Sequence, residues 1–154
     1  MYQSSQESPA FRRGECQYED NAVGHMISMR VKHFAYIPEV LHFYFQRQGS
    51  IAHSFSGKHL SDRWVSCHMI LEIANREGWL QKFLPEYEYN FTTLFLINTL
   101  YLVLPCEFTG KKEYIIQLVR ELKRIFPNFQ SNRYYLQKAI PERRGLINFL
   151  ASIF

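Results

Sequence analysis

The chain has 154 residues, enough for about one domain with a core of ordinary size. Apolar residues make up 47% of it and aromatics 16%, which excludes an intrinsically disordered chain. Lys and Arg number 18 against 14 Asp and Glu, for a net charge of +4; so small and scattered an excess is no nucleic-acid signature.

Residues 1–17, opening "MYQSSQESPAFRRGE", are polar and aperiodic, which predicts a disordered leader; with no apolar h-region, a secretory signal is excluded. From position 20, Val23, Met26, Ile27 and Val31 recur at the 3–4 spacing of a helix lying on a core, predicting a helix over 20–31. "HFAYI" and "VLHFYF" follow, rich in aromatic and β-branched residues and separated by Pro38-Glu39. This pattern predicts two short strands around a turn. "QRQGSIAHSFSGKH" has the composition of a loop.

After Leu60 the texture becomes helical. A helix of about four turns is predicted to end near Gly78, then helices over 87–104, 111–126 (stopped by Pro127), 132–139 and 142–154, the last introduced by Pro141. The longest apolar run, "FTTLFLINTLYLVL", ends at Pro105 and is shorter than the roughly 20 residues of a membrane span, so a buried helix is expected. The predicted organisation is therefore α+β: a leader over 1–17, an α/β piece of one helix and two strands over 18–57, and a helical region over 58–154. Two strands alone make a marginal sheet, so the α/β piece reads as part of something larger.

Several constellations carry chemistry. Glu19-Asp20 opens the first helix. A carboxylate there can cap orphan backbone N–H groups, and the same position suits a base that takes a proton from a hydroxyl during displacement at a sugar carbon. The two roles are compatible. In "FYFQRQGSIAHS", Arg47 offers a paired contact to a diphosphate, Ser50 a hydroxyl donor and His53 a phosphate or metal ligand, against the alternative of a solvated loop. None of the six histidines forms an H-E-x-x-H motif, so no metal site is assigned; His53 and His59 are the one pair that shares the polar loop region. Cys16, Cys67 and Cys106 lack zinc spacing and read as free thiols in a reducing compartment, and no G-x-S-x-G is present. "KKEYIIQLVRELKR" reads either as an amphipathic core helix or as a helix grazing an acidic membrane.

The order of these pieces in "ECQYEDNAVGHMISMRVKHFAYIPEVLHFYFQRQGSI" resembles the later part of bacterial family 2 glycosyltransferases, which have the GT-A fold. The shared pattern is an acidic pair after an aromatic, a helix, a strand, a proline-acid turn, an aromatic strand, and a loop with Arg and Ser; "YIPEVLHFYFQRQGSI" is its most specific portion. The resemblance implies that Asp20 is the base that deprotonates the acceptor, with Glu19 shaping the acceptor pocket. It also implies that Arg47, Ser50 and His53 close over the nucleotide diphosphate. In such enzymes inversion is a single in-line displacement, with a divalent cation, Mg or Mn, neutralising the departing nucleoside diphosphate.

The chain departs from that pattern in two respects, the first being that no strand and Gly-rich turn is read before Tyr18. Its only aspartates are Asp20 and Asp62, so the D-x-D motif that holds the cation is missing. The expectation is a truncated enzyme, catalytically incomplete and without a cofactor of its own. It would serve a nucleotide-sugar donor and a glycan or lipid-linked saccharide acceptor once a partner chain supplies the donor-binding half. Localisation is expected to be cytoplasmic, with a membrane-peripheral position as the alternative. The alternative is a non-catalytic helical interaction module that retains a transferase-derived segment.

Overall fold

The computed structural model describes residues 18–43, 45 and 56–154. Every regular element among them is helical. The helices are α1 (Glu19–Arg30), α2 (Gly57–Arg76), α3 (Trp79–Lys82), α4 (Leu84–Phe91), α5 (Asn98–Val103), α6 (Lys111–Ile125), α7 (Arg133–Lys138) and α8 (Pro141–Ile153). A π-helical stretch, Thr92–Ile97, joins α4 to α5, and a 3-10 turn, Phe129–Ser131, precedes α7.

The α+β expectation is therefore overturned. "HFAYI" and the described residues of "VLHFYF" form no strand and no ladder. Their aromatic and β-branched side chains have the composition of strands, but strand propensity measures how well a side chain packs on a pleated surface. Among the described residues no sheet offers that surface, and Phe34, Tyr36, Phe43 and Phe45 are left exposed.

The core gathers around the run from α4 through the π stretch to α5. Phe91 and Phe95 stack with ring centroids 4.5 Å apart, and the Trp64 ring of α2 meets Phe95 edge-on at 4.8 Å. From α6, Leu118, Val119 and Leu122 close the other side; Phe126, Phe129, Tyr135 and Ile147 complete the cluster. The wider π turn carries Thr92, whose hydroxyl donates to the Glu88 carbonyl at 2.7 Å, and it brings Phe95, Leu96 and Ile97 into the core together. α7 is set by Asn132: its Oδ1 accepts from the Tyr134 and Tyr135 N–H groups, and its Nδ2 donates to the Pro85 carbonyl and to Glu88. One residue thus caps α7 and ties it to α4.

The apolar stripe of α6 faces this core through Leu118, Val119 and Leu122, as expected of an amphipathic helix on a globular body. α1 packs across α2, with Ala22 fully buried. No helix of the described residues is long and apolar enough to cross a membrane.

Candidate functional site

The start of α1 is built by α2. Tyr18 precedes the helix with φ 74° and ψ 19°, the one non-glycine residue in the left-handed region among those described. An aromatic residue rarely adopts that conformation, and it persists where the surroundings over-determine it. Two contacts from α2 do so here. The Ser66 hydroxyl, almost fully buried, donates to the Tyr18 carbonyl at 2.8 Å, and the Arg63 guanidinium lies 4.3 Å from the centroid of the Tyr18 ring.

Asp20 follows in the first turn. Its Oδ1 accepts the Asn21 backbone N–H at 2.9 Å, an N–H that also reaches the Tyr18 carbonyl at 3.2 Å, and the residue stands exposed. Among the described residues no side chain caps this helix start, so the capping role expected of the acidic pair is not seen at Asp20. Glu19 is the first residue of α1, and its side chain lies outside the described set. Arg47, Ser50 and His53 also lie outside the described residues, so the structure does not place them against Asp20.

The sequence reading missed the polar stripe on α2. His59, Asp62, Arg63 and Ser66 recur at i, i+3, i+4 and i+7, which puts them along one side of the helix. Three of them, His59, Asp62 and Ser66, are buried, and Lys58 reaches Asp62 at 2.8 Å. His59 Nδ1 and Arg63 Nε are buried without a hydrogen-bond partner among the described residues. The signal was legible: polar residues at helical spacing beside the apolar positions Leu60, Cys67, Ile70, Leu71 and Ala74. The stripe abuts the start of α1 through the two contacts to Tyr18.

Other titratable groups are structural. On α1, His25 Nε2 and the Tyr87 hydroxyl share a hydrogen bond of 2.8 Å, and the imidazole meets the Trp79 ring edge-on. Burial, and then the Arg30 charge, lower its pKa and favour the neutral ring. His68 lies between the Trp64 carbonyl and Glu121, 2.8 and 2.7 Å away. Burial pushes the Cys67 thiol up to about 12, far from a reactive thiolate. Among the described residues no group of three His, Cys, Asp or Glu side chains could hold a metal ion.

Comparison of the chain with protein-family models, with characterised proteins and with solved structures finds no match.

Proposed function

We propose that the chain carries the acceptor side of an inverting glycosyltransferase of family 2 type, with Asp20 as the base that takes the proton of the acceptor hydroxyl. The observation that carries the reading is the start of α1. A tyrosine is held left-handed by Ser66 and Arg63, and the carboxylate two residues on is left open to solvent. Strain of this kind is retained where a side chain must be presented in one direction. The sequence resemblance through "YIPEVLHFYFQRQGSI" supplies the reaction class and the roles of Glu19, Arg47, Ser50 and His53.

In this reading the donor is a nucleotide-sugar, and the divalent cation and its D-x-D ligands come from a partner chain with the donor-binding half. The chain alone is then expected to give no heat on titration with a UDP-sugar and Mn²⁺; micromolar affinity would contradict the reading. In the reconstituted enzyme, Asp20→Asn should abolish transfer and leave donor binding nearly intact. Retained turnover would leave Asp20 without a catalytic role.

A second reading, a non-catalytic helical interaction module, is favoured by a different observation. The residues that follow α1 expose large apolar side chains of the sort that partners cover. Reconstituted transfer activity separates the two.

A further inference from the structure

The outward face of α1 and the residues after it share one property: large apolar side chains left exposed. On α1 and at its end, Val23, Ile27 and Val31 are exposed and, with Met26 and Arg30, line a shallow groove of about 320 Å³. Val23 and Ile27 share one stripe, which Val31 continues just past the helix end, turned aside from the face that buries Ala22 on α2. Beyond the helix, Phe34 is 92% exposed and Tyr36, Phe43 and Phe45 are each 84% exposed; Ile37, Val40 and Leu41 are exposed as well. No backbone hydrogen bond joins residues 32–43 to any other described residue.

The area involved is that of an interface. A Phe or Tyr buries roughly 150–250 Å², so the four aromatics represent on the order of 600–1,000 Å². Each partner in a standard interface contributes ~800 Å², and monomers rarely leave contiguous apolar patches above a few hundred Å².

We infer that a second copy of the chain covers this surface, the exposed segment of each copy lying along the α1 groove of the other. The groove and the apolar segment that fits its chemistry belong to the same chain, so a two-fold exchange covers both on both copies at once. The inference goes beyond the proposed transfer chemistry and does not involve Asp20, so either can fail without the other.

The test is the mass of the full chain in solution, by sedimentation and light scattering, at high micromolar concentration. The expected result is twice the 18.4 kDa of one chain. Ile27→Lys in the groove, and separately Phe34→Lys with Phe43→Lys in the segment, should each halve the mass. Their far-UV circular dichroism should stay unchanged, because all three sites are exposed. Mixing the two variants should restore part of the dimer, since an intact segment then meets an intact groove once per pair. A wild-type monomer overturns the inference and assigns the surface to another occupant, a donor-binding chain or a lipid surface. A dimer that survives both variants, or a mixture that stays monomeric, overturns the exchange as well.

Discussion

At the scale of single residues, Ser66 and Glu121 do the most identifiable work. Ser66 is buried and holds the Tyr18 carbonyl at 2.8 Å, against the left-handed strain of that residue. Ser66→Ala should cost about 1 kcal/mol in urea unfolding, the net worth of one hydrogen bond, since the Tyr18 carbonyl still accepts from the Asn21 N–H at 3.2 Å. A smaller loss would mean that Arg63 alone holds Tyr18. Glu121 accepts from Arg124 at 2.7 and 2.8 Å and meets His68 at 2.7 Å. The bond from Arg124, then that from His68, hold its carboxyl down at about 2, against an ordinary 4.5. As pH falls, the unfolded chain binds the proton before the folded one. The stabilisation is therefore complete above pH 4.5 and is lost as pH falls from there toward 2. Arg124 is largely exposed and screened by solvent, so the loss should be about 1 kcal/mol. In Glu121→Gln the slope of stability against pH over that range should flatten; an unchanged slope would remove the assignment.

At the scale of elements, α7 stands on one side chain. Asn132 accepts two backbone N–H groups at its own helix start and donates to the Pro85 carbonyl and Glu88 of α4. Asn132→Ala should cost about 1–2 kcal/mol by thermal or urea unfolding, because it removes a cap and also the hydrogen bonds to the Pro85 carbonyl and Glu88, which lie nearer the surface. Asn132→Ser, which keeps a capping oxygen and loses the amide donor, should fall between. This element also shows what the sequence could say. Helical period and proline stops placed α6 and α8 within a residue or two of Lys111–Ile125 and Pro141–Ile153, because those signals are local. "HFAYI" and "VLHFYF" misled because strand formation needs a neighbour that composition cannot report. The candidate site was legible to the same extent. Glu19-Asp20 announces a helix start on local grounds. The tie of the preceding Tyr18 to Ser66 joins residues 48 apart in sequence, a relation that no period or spacing within α1 encodes.

At the scale of the molecule, the large buried side chains lie in α2 and beyond; α1 contributes only Ala22 to the core. What fastens α1 is polar: Ser66 to Tyr18, Tyr87 to His25, Arg30 to Glu77 at 3.3 Å, and the Arg30 guanidinium 5.0 Å from the Trp79 ring centroid. The ion pair and the ring contact are partly solvated and contribute little, and each buried hydrogen bond is worth ~1 kcal/mol net. α1 is thus an attachment of a few kcal/mol on a body whose stability rests on Phe91, Phe95, Leu118 and Leu122. Two consequences can be measured. A chain reduced to residues 56–154 should keep a cooperative helical melt with a lower midpoint, and loss of cooperativity would place α1 inside the folding unit. In the full chain, amides of α1 should exchange hydrogen sooner than those around Leu118 to Leu122, since opening α1 exposes little core. Association through the outward face of α1 supplies the apolar burial that the helix lacks on α2, so exchange in α1 should slow as protein concentration rises, by mass action. Exchange that is independent of concentration would mean that the polar fastenings alone hold the helix bearing Asp20.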